Sequence, residues 1–191
     1  DIKQKIYTNL ADSGFSLCDA QLIAVNQILI AASEAVEQKS QGLDPKKKAF
    51  VIYGSPGSGK TLVALSLLIE AIGNGIKSIY GLRRNGALVN TLRNAIDDNL
   101  NDTFRDLSGL VYFINVPRNN MGIADSRFNI SNLDLIICDE AQRMLKDSLS
   151  IVFERSSVSA FFIDEKQRLN WDEQGVKQNF REEAEKNDVE L

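Results

Sequence analysis

The chain has 191 residues, of which 43% are hydrophobic and 25% charged, and this composition indicates a globular domain and excludes a disordered chain, a fibre or a coiled-coil rod. It contains no histidine, so zinc sites and histidine-based catalysis lack their usual residues. Its net charge of −4 argues against a dedicated nucleic-acid-binding protein. Its apolar runs are shorter than the roughly 20 residues that cross a bilayer, and its two distant cysteines are typical of reduced thiols, so we expect a cytoplasmic location without membrane or zinc.

The first half of the chain contains a helix, a strand and a second helix in succession. Apolar residues at steps of three and four predict a helix over 16–39 that begins with a capping box, Ser16 and Asp19. The apolar run 49–53 predicts a buried strand. Residues 60–72 predict a helix, which ends at a glycine-rich stop signal.

The remaining elements continue the alternation of strands and helices. Each predicted strand is a nearly continuous apolar run, which favours a parallel sheet with helices on both faces. We therefore predict an α/β fold with a mainly parallel sheet of about five strands, counted from these runs. The further strands are predicted at 78–82, 110–115, 133–138 and 158–163, and the further helices at 87–96, 141–153 and, rich in acidic residues, 178–187.

A glycine-rich loop lies between the strand at 49–53 and the helix that follows it. Its sequence, GSPGSGKT, is a P-loop in the required setting, since a strand precedes it and a helix follows it. Its backbone N–H groups and Lys60 are expected to bind the phosphates of a nucleotide, and the hydroxyl of Thr61 to bind Mg²⁺. The predicted phosphate-binding residues are Gly54, Ser55, Pro56, Gly57, Ser58, Gly59, Lys60 and Thr61.

Two carboxylates follow the strand at 133–138. Hydrolysis of a bound nucleotide requires charge neutralisation at the phosphates and a correctly placed water. Asp139 suits the magnesium role at the end of a neighbouring strand, and Glu140 suits the base that orients or deprotonates the water. The alternative is an acidic helix N-terminus, which the helix dipole favours.

A further polar pair follows the last predicted strand. Asp164 and Gln167 come directly after residues 158–163, so we expect polar groups beside the same phosphates, where Gln167 would sense the γ-phosphate. The alternative is a solvated loop.

These motifs together resemble a known family. GSPGSGKT at 54–61, DEAQ at 139–142 and D-x-x-Q at 164–167, in this order, resemble the first RecA-like domain of superfamily 1 helicases. DEAQR at 139–143 with FIDEKQ at 162–167 is more closely similar to the prokaryotic Schlafen group 3 DNA/RNA helicase domain. The resemblance implies a P-loop NTPase fold with a RecA-like three-layer sandwich, which binds ATP and Mg²⁺.

The resemblance also assigns roles to single residues. Gln21 would read the adenine edge, although a surface glutamine in the first turn of a helix remains the alternative. Gln142 and Gln167 would couple the nucleotide state to the grip on nucleic acid, together with Asp164. Ile163 stands where the family has a glycine before the aspartate.

The resemblance further implies contacts with a single strand of nucleic acid after the second strand of the sheet. Arg83, Arg84 and Asn85 lie at this point, and a solvated turn is the alternative. Leu82 and the two arginines replace the proline-threonine form of this motif, so the details of strand binding differ from the family pattern.

The sequence thus predicts the ATP-binding and ATP-hydrolysing half of a helicase or translocase that acts on single-stranded DNA or RNA. The alternatives are an ATP-dependent switch with little turnover that pairs with a partner, and a small-molecule kinase. We expect one RecA-like domain over 1–191, in which 1–15 lead in and 165–191 lead toward a second RecA-like domain of the same polypeptide. Since the chain begins with Asp1 and lacks that second domain, we expect it to be a piece of a longer protein, with slow turnover of its own.

Overall fold

The computed structural model describes a central sheet and the helices on its two faces, over residues 17–82, 111–113, 122–123, 130–164 and 177–191. A short 3-10 helix, Ala141–Arg143, follows the fourth strand. The helices are α1 (Asp19–Ser40), α2 (Lys60–Gly73), α3 (Lys146–Arg155) and α4 (Lys177–Lys186), and the strands are β1 (Lys48–Tyr53), β2 (Ser78–Leu82), β3 (Val111–Phe113), β4 (Leu133–Asp139) and β5 (Ser156–Ile163).

The five described strands form one parallel sheet in the order β1-β5-β4-β2-β3. Tyr53 pairs with Ile163 at the ends of β1 and β5, and Leu82 pairs with Asp139 at the ends of β2 and β4. The carboxyl ends of four strands therefore meet at one edge of the sheet, which is where ligands bind in open α/β folds. The predicted α/β fold class is confirmed.

Alternating side chains of the central strands divide the core into two layers. Leu135 and Ile137 of β4 belong to the cluster that α1 and α2 cover, whereas Ile136 and Cys138 belong to the cluster that α3 and α4 cover. This alternation follows from the two-residue period of a strand and explains why β4 and β5 are apolar at nearly every position. The chain forms the expected three layers of helix, sheet and helix.

The order of the strands differs in one respect from the sequence interpretation. Asp139 was expected at the end of a strand next to the P-loop strand, but β5 lies between β1 and β4. Helix α2 contacts β5, β4 and β2 on its way from β1 to β2. Its first turn therefore approaches the end of β4 across the intervening strand.

The helix predicted over 141–153 is interrupted. A 3-10 turn ends at Arg143, Met144 and Leu145 are extended, and α3 begins only at Lys146. Met144 is buried in the core while Leu145 is exposed, so burial of the methionine accompanies the break. Asp147 lies in the first turn of α3, where an acidic side chain favours a new helix start.

The start of α1 also differs from the prediction. The helix begins at Asp19 rather than at residue 16, its capping residue is Cys18, and Gln21 accepts a hydrogen bond from the backbone N–H of Cys18 at 2.9 Å. Ser16 lies outside the described residues, so its pairing with Asp19 stays a prediction. The side chain of Gln21 is longer than that of Asp19, and it also reaches the glycine-rich loop.

Helix α4 packs on the sheet through Phe180. The centroid of its ring lies 4.8 Å from the ring centroid of Phe161 on β5. The chain then returns to the outer edge of β1, where the N–H of Ala49 donates to the carbonyl of Glu190 at 2.7 Å. None of the helices in the described ranges is long and apolar enough to cross a membrane. The predicted helix at 87–96 lies outside the described residues.

Candidate nucleotide-binding site

The loop between β1 and α2 is anchored to the carboxyl end of β5. The N–H of Gly54 donates to the carbonyl of Ile163 at 3.1 Å. A Cβ atom on Gly54 would lie 2.5 Å from Oγ of Ser58 and 3.0 Å from Cγ of Lys60, so a larger residue here would require both of these loop side chains to move. Gly57 and Gly59 have positive φ angles of 75° and 79°, which glycine adopts without strain.

The N-terminus of α2 presents donors to the space above the loop. Its first helical hydrogen bond is donated by Val63 to the carbonyl of Gly59 at 3.0 Å. The N–H groups of Lys60, Thr61 and Leu62 precede that bond and have no acceptor within the helix. With the positive end of the helix dipole, these donors favour an anion at this position.

Lys60 bends back over the loop. Its Nζ donates to the carbonyls of Gly54 and Ser55 at 2.7 and 2.8 Å, and lies 3.7 Å from Oδ2 of Asp164. Asp164 is buried at the end of β5. The structure thus brings the predicted phosphate-binding lysine and the aspartate after β5 to the same place.

Asp139 lies at the end of β4 and is 1% exposed. Its Oδ2 accepts hydrogen bonds from the Thr61 hydroxyl at 2.7 Å and the Tyr80 hydroxyl at 2.8 Å. Its Oδ1 accepts one from the N–H of Glu140 at 2.9 Å. The two residues predicted to hold magnesium are therefore in contact, although β4, which ends at Asp139, is not adjacent to β1, which precedes the loop and Thr61.

Burial and, to a lesser extent, the negative charge of Asp139 raise the pKa values of two groups beside it. Burial, then the negative charge of Asp139, raises the pKa of Tyr80 well above its usual value of 10.0. Burial also raises the pKa of the Cys138 thiol. Tyr80 is therefore a neutral donor to the carboxylate across the physiological range of pH.

Glu140 has a left-handed backbone, with φ 54° and ψ 36°, which is strained for a residue other than glycine or asparagine. Nε2 of Gln142 donates to Oε2 of Glu140 at 2.7 Å. The buried N–H of Asp164 donates to Oε1 of the same glutamine at 3.0 Å. Gln142 is fully buried and connects the ends of β4 and β5. Strained backbone of this kind concentrates at functional sites.

Gln21 lies against the glycine-rich loop from the side of α1. Its Nε2 donates to the carbonyl of Ser58 at 3.0 Å, and a Cβ on Gly59 would lie 3.3 Å from the same nitrogen. The structure therefore places Gln21 at the loop, where its side chain joins the start of α1 to the glycine-rich loop. Reading of an adenine by Gln21 remains a prediction.

Some predicted residues lie outside the described part of the chain. These residues are Arg83, Arg84, Asn85 and Gln167. Tyr80, in contrast, contacts the site but was not predicted. The available signal was that a tyrosine within a buried strand requires a partner for its hydroxyl.

The parallel sheet, with a glycine-rich loop and a helix N-terminus at its carboxyl edge, defines the class of this protein as a P-loop NTPase domain. Residues 47–191 match the family "Schlafen group 3, DNA/RNA helicase domain". The chain belongs to this family, and the predicted resemblance is confirmed. The match begins in front of β1, so α1 and Gln21 lie outside it.

Two solved structures are similar to the chain, each with low sequence identity and a TM-score below 0.5. The first is domain III of the Thermotoga maritima replication initiation protein DnaA, with a TM-score of 0.44 and 14% identity over 93% of this chain and 64% of that one. The second is a DNA replication initiation factor, with a TM-score of 0.41 and 17% identity over 93% of this chain and 47% of that one. The chain thus spans less than two thirds of either structure. No curated protein matches its sequence.

Proposed function

We propose that the chain is the ATP-binding and ATP-hydrolysing half of a helicase or translocase that acts on DNA or RNA. The observation that carries this proposal is the 2.7 Å contact between the Thr61 hydroxyl and Asp139 at the mouth of the glycine-rich loop. This contact joins a phosphate-binding loop to a buried carboxylate with Glu140 beside it. A protein that only binds nucleotide does not require this arrangement, whereas hydrolysis does.

The residues at this point fit Mg²⁺. A hydroxyl and a carboxylate are oxygen ligands, which magnesium prefers. Among the described residues, Asp139 receives hydrogen bonds only from hydroxyls and a backbone N–H and has no lysine or arginine partner. Thr61 and Asp139 would hold the ion, which when bound neutralises charge on the nucleotide phosphates.

Lys60 and the donors of α2 would bind the phosphates. In this structure Nζ of Lys60 is held by the carbonyls of Gly54 and Ser55. Phosphate oxygens are stronger acceptors than carbonyls for an ammonium group, because the hydrogen bond is between two charges. Lys60 would exchange these carbonyls for the β- and γ-phosphates as ATP binds.

Glu140 would act as the base for the attacking water. Its side chain is 29% exposed, so water reaches the carboxylate, and Gln142 fixes the position of Oε2. Because Gln142 also accepts a hydrogen bond from the N–H of Asp164, one side chain links the base to the partner of Lys60. This link supports the predicted coupling role of Gln142 and Asp164.

The family supports DNA or RNA as the partner of the domain. Arg83, Arg84 and Asn85 directly follow Leu82, which pairs with Asp139, and they remain the proposed contacts with a single strand. A second RecA-like half in the same polypeptide would complete the site, since an arginine supplied from outside accelerates phosphoryl transfer by about 10³–10⁵.

Substitution of Glu140 by glutamine tests the proposal. E140Q preserves size and hydrogen bonding but removes the base, so we expect unchanged ATP affinity and turnover lower by about 10²–10⁴-fold. Turnover is measured under single-turnover conditions, with and without single-stranded DNA and RNA, because the chain alone should be slow.

E154Q is the matched control, since Glu154 is exposed on α3 away from the loop. Equal turnover in E140Q and E154Q would contradict the proposal. ATP binding without any turnover in the wild-type chain, even with nucleic acid and a complete second half, would favour the ATP-dependent switch.

A further inference from the structure

Tyr80 reaches the site from the core of the protein. It lies on β2, is fully buried, and packs with the cluster covered by α1 and α2. Only its hydroxyl meets the site, at 2.8 Å from Oδ2 of Asp139. A buried hydroxyl without a partner is costly, so the contact with Asp139 holds both groups in place.

The hydrogen bonds of Asp139 restrict how its carboxylate can bind a further ligand. An ionised carboxylate has about four acceptor positions, two on each oxygen. Thr61 and Tyr80 occupy both positions of Oδ2, and the N–H of Glu140 occupies one of Oδ1. Within the described part of the chain, one position of Asp139 therefore remains, and it is on Oδ1.

We propose that Tyr80 is a positioning residue for the magnesium-binding carboxylate, which it restricts to one oxygen, Oδ1. The inference rests on the proposed function and extends it to a residue of the core. With Tyr80 in place, the carboxylate stays oriented by a donor from β2 whatever Thr61 contacts. Without the Tyr80 hydroxyl, Oδ2 gains an open position and the carboxylate can rotate.

A structural role alone would have a different signature. If Tyr80 served only to fill the core, Tyr80→Phe would preserve every apolar contact and leave metal binding unchanged. If Tyr80 positions Asp139, the loss must appear in the metal-dependent part of nucleotide affinity. Removal of an outer-shell partner of a metal ligand typically weakens metal affinity by about 10–100-fold.

The test compares wild type with Tyr80→Phe by titration calorimetry. The dissociation constant of a non-hydrolysable ATP analogue is measured in Mg²⁺ and in EDTA, and the ratio gives the gain from the metal. We expect Y80F to bind the analogue normally in EDTA and to lose about 10-fold of the metal-dependent gain. Ile79→Val is the matched control, because Ile79 is the adjacent buried residue of β2 but belongs to the opposite core cluster.

An unchanged metal-dependent gain in Y80F would overturn the inference, and so would an equal loss of affinity in EDTA. A double-mutant cycle with Asp139→Asn provides a second readout, since Y80F should have no further effect on the gain when the carboxylate is absent. Wild-type protein that gains nothing from Mg²⁺ would instead contradict the proposed function. A wild-type gain that Y80F preserves contradicts the role of Tyr80 alone.

Discussion

Two aspartates at opposite ends of β4 have opposite surroundings. Asp134, at the amino end, forms an ion pair with Lys39 at 2.7 Å and accepts the backbone N–H of Lys77 at 2.9 Å. Asp139, at the carboxyl end, accepts hydrogen bonds but has no cationic partner among the described residues. The same residue type on one strand therefore stabilises the fold at one end and leaves negative charge available to a cation at the other.

The surroundings of these two residues extend the contrast to the edges of the sheet. At the amino edge, Nζ of Lys47 donates to the last carbonyls of α3, and Lys48 pairs with Glu34 of α1. At the carboxyl edge, Glu140 and two loop glycines have positive φ angles. Positive φ angles also occur at the amino edge, at Gly75 and Asn132, but these residue types adopt them readily, whereas glutamate does not. The carboxyl edge therefore differs in the strained backbone of Glu140 and in the first N–H groups of α2, which have no acceptor within the helix, a combination that is typical of a binding site.

Nucleotide affinity should separate the two aspartates most strongly. Asp139→Asn removes the charge that would face magnesium, so the gain in ATP affinity from Mg²⁺ should fall by at least about 10-fold. Asp134→Asn should leave that gain unchanged, because Asp134 lies at the far end of the strand. Titration calorimetry with and without Mg²⁺ measures both, and equal effects of the two variants would contradict the division of roles.

The free energy of unfolding should show the reverse order. Asp134→Asn breaks a partly buried ion pair and weakens a charge-assisted hydrogen bond, so we expect a loss of about 1–3 kcal/mol. Asp139→Asn should cost less or stabilise the protein, because it removes a buried charge that has no ionic partner within the described ranges. Urea denaturation of both variants measures the difference, and a larger loss for Asp139→Asn would show that its carboxylate supports the fold.

Alkaline pH should affect the carboxyl end through Tyr80. The pKa of Tyr80 is raised in the folded protein. Its contribution to the free energy of unfolding is therefore fully present below pH 10 and is lost as pH rises beyond that value. The unfolded state releases the proton first, so the free energy of unfolding falls by up to about 1.4 kcal/mol per pH unit.

Tyr80→Phe should flatten this alkaline decline, whereas Tyr53→Phe, at an exposed position, serves as the control and should not. Urea denaturation between pH 9 and about 11 measures the slopes, in the range where an ordinary tyrosine titrates. Equal slopes in wild type and Tyr80→Phe would show that the tyrosine titrates normally.

The sequence alone predicted the parts of the fold that depend on local patterns. Helix α2 and strand β2 were located closely, since the loop at 54–61 and the apolar runs have strong local signals. The position of Asp139 beside Thr61 also followed, because parallel strands end at one edge of a sheet. The first two features require no knowledge of how distant segments pack, and the third requires only that the strands run parallel.

Other features depend on contacts between distant segments and could not be predicted. The insertion of β5 between β1 and β4 follows from packing of the whole sheet. The break after Arg143 reflects burial of Met144, which apolar periodicity does not distinguish from a continuous helix. The hydroxyl of Tyr80 requires a partner in a buried strand, but only the three-dimensional structure shows that this partner is Asp139.

The central claim is that the carboxyl edge of the sheet is a nucleotide site. The most direct test compares the binding of ATP with Mg²⁺ in wild type, Lys60→Ala and Lys77→Ala. Lys77 is the matched control, since it lies at the amino edge, where its Nζ donates to the carbonyl of Ser131. Loss of a charge-assisted contact of about 1.5–3 kcal/mol predicts affinity at least tenfold weaker in Lys60→Ala and unchanged in Lys77→Ala. Equal ATP affinity in all three proteins, measured by titration calorimetry, would contradict the account.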